Sequence, residues 1–304
     1  MKQKITVTIG TAAYNEAENI GAMLTSVLAQ TERTIRIQKI IISSDGSADE
    51  TVKIARSFKD PRIVVLAHTS RKGQPTRLNE ILQRSKSDYL VILDADTVLG
   101  NNKAIENILK PFGRDKRIGV VAGNTIPVPG QTFLEKAANN YIYARQALQK
   151  EYNFGKKALV AHAYLAFSRR FLLEYHLPKE VMNGDAYSYF ESIRRGYKFS
   201  YAHNSVVYYR SPSTIREYVK QKTRQIAGGR QLEQYFGHEV VAEGFRVPYP
   251  IMKEILRYQL RKNLLGYLLV KILFSYSAYK SKTLMEVLTT TWEIADTTKG
   301  LITL

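Results

Sequence analysis

The stretch VILDADTVLG, residues 91–100, decides how the chain reads. An apolar run ends at Leu93, as a buried strand ends, and Asp94 and Asp96 stand where that strand leaves the core. Carboxylates this close repel one another unless something positive stands between them. A divalent cation, a lysine or arginine partner, and plain solvation in a turn each meet that need. The first makes the pair a metal site, since Mg²⁺ or Mn²⁺ takes carboxylate oxygens and in turn holds a substrate's phosphates.

Upstream of this run, short apolar segments alternate with helical patterns. Residues 5–14, 36–47, 62–68 and 88–96 read as strands; 17–30, 48–59 and 74–85 read as helices. Asp49 and Glu50 are expected in the first turn of the second helix, where negative charge is favourable. This β-α-β-α-β-α-β order argues an α/β fold with a parallel, helix-covered sheet. Ligands of such sheets bind beyond the carboxyl ends of the strands. Those ends carry Tyr14-Asn15-Glu16, Ser44-Asp45-Gly46-Ser47, His68 to Gly73 and Asp94-Ala95-Asp96, one polar rim drawn from four places. Downstream, 118–130 reads as a strand and a turn, 133–152 as a long helix rich in tyrosine, and 185–202 as a helix closed by Gly196 and followed by a strand. From about residue 213 the chain reads as helical and basic, and VPYPIM (247–252) lies in the region that best suits a boundary.

The chain has 304 residues, a formal net charge of +18 and no cysteine. Its length suits one large α/β domain, with or without an appendage. The charge calls for an anionic partner: nucleic acid, anionic lipid or a phosphorylated substrate. Without cysteine there are no disulfides and no thiolate zinc sites, which is compatible with a reducing compartment. MKQKITVTIG reads as a first strand rather than a signal peptide. LLGYLLVKILFSYSAY (264–279) is interrupted by Lys271, so an interfacial helix is expected there instead of a membrane span.

Each motif has a chemical and a plain reading. Asp45, in SSDGSADET (43–51), suits hydrogen bonds from a base or ribose, or else an ordinary Asp-Gly turn. Arg71, Lys72 and Arg77 surround Gly73 at the start of a helix and suit phosphate, or else a solvated basic turn. Asp185, after Gly184 at another helix start, suits a general base acting on a hydroxyl, or else a helix cap. Gln221 and Arg224 share a helix face and suit a diphosphate or an acceptor, or else solvent.

Taken in order, these elements resemble glycosyltransferase family 2, with the GT-A fold. AAYNEAENI stands at the family's first-strand Tyr-Asn-Glu signature, SSDGSADET at its Asp-Asp-Gly-Ser element, and RKGQPTRLN at its basic glycine element. DAD is the D-x-D, and the Gly-Asp of NGDAY stands at the catalytic Glu-Asp. The stretch IRRGYKFSYAHNSVVYYRSPST fits the run usual after that motif. QKTR is similar to the Gln-x-x-Arg of the synthase-like branch, which makes polysaccharides or glycolipids.

The likeness covers roughly residues 5–235. It implies a GT-A domain over 1–235, with a nucleotide-sugar half to about 125 and an acceptor half over 126–235. A helical, basic extension over 236–304 comes next, for a membrane interface or for homo-oligomerisation. By the same likeness Ala13, Tyr14, Asn15, Glu16 and the loop of Arg71 and Gly73 would line the nucleotide pocket, and Asp45 would meet the uracil or ribose. Asp94, with Ala95, would lie near the ribose and diphosphate. Asp96, with Asp94, would hold Mg²⁺ or Mn²⁺. Asp185 would deprotonate the acceptor, and Gln221 and Arg224 would sit over the diphosphate or at the acceptor entrance. The sequence departs from the family pattern at Ser44, Gly184 and Gln225, where an aspartate, a glutamate and a tryptophan are usual. Tyr209 stands where many relatives have a metal-binding histidine, with His203 earlier in the same strand. These departures bear on processive polymerisation and on a third metal ligand.

The partners so implied are a nucleotide-sugar donor, UDP-linked, and a lipid-linked or glycan acceptor. An anionic membrane surface at the cytoplasmic face is also implied, and no nucleic acid. A nucleotidyltransferase would want a glycine-rich phosphate loop after the first strand. A dinucleotide oxidoreductase or a P-loop enzyme would show G-x-G-x-x-G or G-x-x-x-x-G-K-[ST], and neither occurs. A non-catalytic binder of anions on the same fold is the remaining rival, against which Asp96 and Asp185 argue.

Overall fold

A computed structural model of the chain describes residues 4–152, 157–160, 162–283 and 296–300. The first half runs β1 (Ile5–Ala13), α1 (Ala17–Leu28), β2 (Ile35–Ser44), α2 (Thr51–Ser57), β3 (Ile63–Ala67), α3 (Gln74–Arg84), β4 (Tyr89–Leu93), β5 (Val98–Leu99), α4 (Ala104–Arg114) and β6 (Ile118–Pro127). The second runs α5 (Phe133–Tyr152), β7 (Tyr164–Ser168), α6 (Arg169–Leu172), α7 (Gly184–Arg194), β8 (Lys198–Tyr209), α8 (Ile215–Phe236), α9 (His238–Phe245) and α10 (Tyr249–Thr283).

The strands over the first 93 residues are built from β-branched runs such as Ile40-Ile41-Ile42, which suit the pleated, doubly covered strands of a parallel sheet. Helix α2 starts at Thr51, later than expected. Asp49 instead accepts the N–H groups of Ala17 (3.0 Å) and Thr51 (3.0 Å), so it ties the β2–α2 turn to the start of α1. Gly196, with φ +76°, ends the turn after α7 as its position in the sequence predicts.

Among the described residues the strands form one sheet of eight, in the order β3-β2-β1-β4-β7-β6-β8-β5. The β3-β2-β1-β4 half is parallel throughout, as is the β6/β8 pair. Strand β7 enters antiparallel between β4 and β6, and β5 runs antiparallel to β8. The parallel sheet read from the first half is thus one part of a mixed sheet. β7 pairs antiparallel with both of its neighbours, β4 and β6, a pairing that apolar periodicity does not reveal.

One core lies between the sheet and the helices α1 and α4, through Ile20, Met23, Leu24, Ile105, Ile108 and Phe112. The other joins the opposite face to α3, α7, α8, α9 and the first half of α10, through Ile81, Phe190, Leu232, Val241 and Ile255. Helix α10 is kinked at Asn263, whose backbone is extended (φ −164°, ψ 90°) and whose Oδ1 accepts the Gly266 N–H at 2.8 Å. That amide cap starts the second half, which packs Leu273 against Leu134 of α5 and Tyr218 and Val219 of α8. Among the described residues no helix is long and apolar enough to cross a membrane.

Candidate active site

The site lies at the carboxyl ends of β1, β2 and β4, where four loops and two later helices meet. The β1–α1 turn carries Asn15 in the left-handed region (φ 51°), which asparagine tolerates. The turn is sewn to the β2–α2 loop. The Asn15 N–H donates to Ser47 Oγ (3.1 Å), the Ala48 N–H to Asn15 Oδ1 (2.8 Å), and the Glu16 N–H to Thr51 Oγ1 (2.7 Å).

Asp45 ends the next strand and organises the basic loop. Its carboxylate accepts the N–H groups of Lys72 (2.8 Å) and Gly73 (3.0 Å) and the Arg77 Nε–H (2.7 Å), with Arg71 at 4.0 Å. Arg77 is buried and bridges on to the Ser70 carbonyl at 2.7 Å. Arg71 is thereby set over the Tyr14 ring, 3.7 Å from its centroid. The sequence marks Asp45 for a ligand. In the structure its oxygens already hold the loop, which leaves Arg71 and Lys72 to present charge.

Asp94 and Asp96 leave β4 as the sequence suggests. The Gln74 amide of α3 donates to Asp94 Oδ1 at 3.4 Å. Asp185 reaches them from α7. It does not cap that helix, because Asn183 does so, accepting the Ala186 N–H at 3.1 Å. The Asp185 carboxylate instead accepts the Ala163 N–H at 2.9 Å, while the Ala163 carbonyl accepts the Asp94 N–H at 3.0 Å. One residue ahead of β7, held left-handed at φ 43°, thus fixes both aspartates at once. Gly184, in place of the usual glutamate, faces Leu177 across an apolar contact.

Helix α8 supplies the positive charge. Gly228 lets it close on the loop before α7, since a Cβ there would stand 3.1 Å from the Asn183 Cβ. Gln231 then accepts the Met182 N–H (2.9 Å) and donates to the Glu180 carbonyl (2.8 Å). One turn before Gly228, Arg224 acts on Asp94, Asp96 and Asp185 together. Gln221 sits a turn earlier on the same helix and is half-buried.

The electrostatics show an excess of negative charge. Loss of water, then Asp185 and Asp96, push the Asp94 carboxyl well above the carboxylate range, and Arg224 only partly offsets them. Burial also raises Asp96, against its own backbone N–H and Arg224. Glu16 is pushed up to about 8, chiefly by burial and next by Asp96. Burial takes Asp185 up to about 6, with the Ala163 N–H and Arg224 opposing. Carboxylates from three places, the β1–α1 turn, the end of β4 and α7, therefore crowd together, and Arg224 offsets three of them, Asp94, Asp96 and Asp185. Tyr209 lies near enough to feel Asp96, and burial pushes its phenol up to about 12, so it stays protonated at neutral pH. The His203 ring instead lines a separate open cavity of about 400 Å³ with Asn124, Tyr143 and Gln146.

Sequence reasoning missed Asn183, Ala163 and Gln231. The glycine pair within the α8 pattern, at 228 and 229, was the one sign of a close approach there.

This fold, with carboxylates and cations gathered at the strand ends, defines a glycosyltransferase domain of the GT-A class. The chain is similar to the mannosyltransferase PcManGT from Pyrobaculum calidifontis, solved in complex with GDP-Man and Mn²⁺. The TM-score is 0.62 at 18% identity, over 95% of this chain and 77% of that one. A model of the family described as glycosyl transferase family 2 matches residues 8–177, more than half of the chain, and the chain belongs to that family. It is 24% identical over 232 residues to the poly-β-1,6-N-acetyl-D-glucosamine synthase of Staphylococcus aureus (strain COL), covering 74% of this chain and 55% of that one. It is 27% identical over 207 residues to the O-antigen chain rhamnosyltransferase RfbN of Salmonella typhimurium, covering 66% of each. The chain thus spans about half the length of the synthases it matches.

Proposed function

We propose that the chain transfers a sugar, with inversion, from a nucleotide-sugar to a hydroxyl of a lipid-linked or glycan acceptor, using Mg²⁺ or Mn²⁺. The observation that carries this reading is the convergence of Asp94, Asp96 and Asp185 on the cation Arg224, with Glu16 beside Asp96. Left alone, that arrangement raises the pKa of its carboxyls; a divalent cation and a diphosphate would complete it. Among the described residues no three histidine or acidic side chains meet closely enough to hold an ion by themselves. That suits Mg²⁺ or Mn²⁺, which is commonly held by one or two carboxylates with the substrate's phosphates supplying other oxygens. Asp96 and Asp94 would hold the ion, and when bound it would neutralise charge on the leaving diphosphate.

The remaining roles belong to side chains. The Tyr14–Glu16 turn and the Arg71 loop would cradle the nucleotide, which by family resemblance is UDP. Asp185 would take the proton of the acceptor hydroxyl. That oxygen would attack the anomeric carbon opposite the diphosphate, and the bond to the phosphate oxygen would break as the new one forms. Arg224, with Gln221 beside it, would receive the departing charge. A single displacement inverts the anomeric centre.

Calorimetry with UDP, GDP, CDP and TDP, each with Mn²⁺ and with EDTA, tests this reading. One nucleotide binding only with the metal is the expected result. No binding under any condition would sink the donor-site assignment.

The reading includes an anionic membrane surface, and the second half of α10 is its natural contact. Leu265, Leu268, Ile272, Tyr276 and Tyr279 recur every three or four residues and stay exposed, Leu265 at 71% and Ile272 at 66%. Arg261, Lys262, Lys271, Lys280 and Lys282 flank them, and 257–283 contains no acidic residue. An apolar stripe with basic flanks seats in an anionic lipid interface. Sedimentation with phosphatidylglycerol vesicles is expected to carry the protein down. The triple change Leu265→Ser, Leu268→Ser, Ile272→Ser is expected to weaken that binding by about tenfold or more. A variant that still binds vesicles but has lost self-association would mark the stripe as a contact between copies.

A further inference from the structure

One charged group beside the nucleotide turn comes from the far end of the sequence. Residues 296–300 lie between the start of α8 and the β1–α1 turn, and both ends are tied by polar contacts. On the α8 side, the Thr297 N–H donates to Glu217 Oε1 at 3.2 Å, the Thr297 hydroxyl donates to the same carboxylate, and Thr297 Oγ1 accepts the Ser213 N–H at 3.0 Å. Glu217 sits in the first turn of the helix that carries Arg224. On the other side, the Lys299 ammonium donates to the Asn15 carbonyl, and Gly300 lies beside the Glu18 carboxylate. The Lys299 charge is felt by both Glu16 and Asp49, the two carboxylates that flank the turn.

We infer that Lys299 is a donor-binding residue, brought to the nucleotide pocket by the 296–300 strap to meet the negative charge of the nucleoside diphosphate. The inference rests on the transferase reading above. Its logic is charge balance. A nucleotide-sugar is anionic, and the turn it must approach is flanked by Glu16 and Asp49, with Asp94 and Asp96 beyond. Arg71 and Arg224 are set at fixed points by Tyr14 and α8. Lys299 places a third cation at the lip of that turn, on the side facing Asp49, where it lowers the repulsion an incoming diphosphate meets. The anchor on Glu217 gives the lysine a fixed origin, so its charge is delivered to one place rather than spread over a mobile tail. Asn15, held left-handed, offers its carbonyl as the resting partner of the ammonium.

Three variants of the 304-residue chain test this by calorimetry with the nucleoside diphosphate and Mn²⁺, together with donor KM and kcat. Lys299→Ala is expected to weaken nucleotide binding by about five- to tenfold and to raise the donor KM by the same factor, with kcat moving less than about twofold. Lys299→Arg is expected to restore binding to within about twofold, since the charge and reach are kept. Thr297→Val, which removes both hydrogen bonds of the anchoring hydroxyl and keeps the lysine, is expected to lose affinity in the same direction as Lys299→Ala. A purely structural role would lower the melting temperature and leave the KM-to-kcat split unmoved. Wild-type affinity in Lys299→Ala would overturn the inference, and so would tighter binding, which would mark the strap as an obstruction. If the wild-type protein binds no nucleotide, the transferase reading falls and this one falls with it. If it binds and the variants match it, only the role of Lys299 is lost.

Discussion

Asp185→Asn lowers the rate of sugar transfer by about a thousandfold and leaves nucleoside diphosphate binding within about twofold of wild type. The substitution keeps the shape and the hydrogen bond from the Ala163 N–H, which an amide oxygen accepts as well as a carboxylate does. It removes only the ability to take a proton. The same group sets the pH profile. Burial raises its pKa to about 6, so the charged, competent base is present above that value and lost below it. Transfer at saturating donor is then expected to fall about tenfold per pH unit below 6 and to level off above 7. A variant retaining a tenth of wild-type activity, or a profile flat down to pH 5, would remove Asp185 from the base role.

Asp96→Asn is expected to abolish metal-dependent nucleotide binding, by about a hundredfold or more, and to make the protein more stable. The second effect follows from linkage. The folded-state carboxyl of Asp96 has its pKa raised above the unfolded value near 3.8. The unfolded state therefore gives up that proton at lower pH, and stability falls as pH rises from the unfolded pKa through the folded one. At neutral pH an uncharged amide removes this cost, so the variant is expected to melt above the wild type. Near pH 4 the two proteins are expected to melt together. Mn²⁺ with nucleotide is expected to raise the melting temperature of the wild type and leave that of the variant unchanged. Scanning calorimetry at both pH values checks this; a variant that melts lower than wild type at pH 7.5 would show that the aspartate stabilises the fold without a ligand.

The two expectations share one cause. The carboxylates lie close enough to raise one another's pKa, a cost that a bound cation would relieve. Stability given up at the site is the counterpart of binding there.

Much of this was legible in the sequence. Runs such as Ile40-Ile41-Ile42 and Leu90 to Leu93 are buried on both faces, and that burial writes their length and type into composition. Once those strands are parallel, the rim of Glu16, Asp45, Arg71, Asp94 and Asp96 follows, because parallel strands deliver their following loops to one edge. The membership of glycosyltransferase family 2 followed from the same local words in order.

What the sequence left open was each feature that depends on segments distant in the chain. The antiparallel entry of β7 is a pairing choice made by β4 and β6, and β7 alone would suit either direction. Asp185 was readable as a base or as a cap. Only the fold put the cap on Asn183 and the carboxylate on Ala163, 22 residues away. Tyr209 and His203 were two candidates in one strand, and the structure sets Tyr209 by Asp96 and turns His203 to another cavity. Lys299 carries no local signal at all, since its partner Asn15 lies 284 residues earlier. Apolar period and turn chemistry are properties of neighbours in sequence, so they determine elements and the loops that end them. Charge balance at a site sums over groups that meet only when the chain is folded, so the tertiary structure alone decided which cations answer the acidic rim.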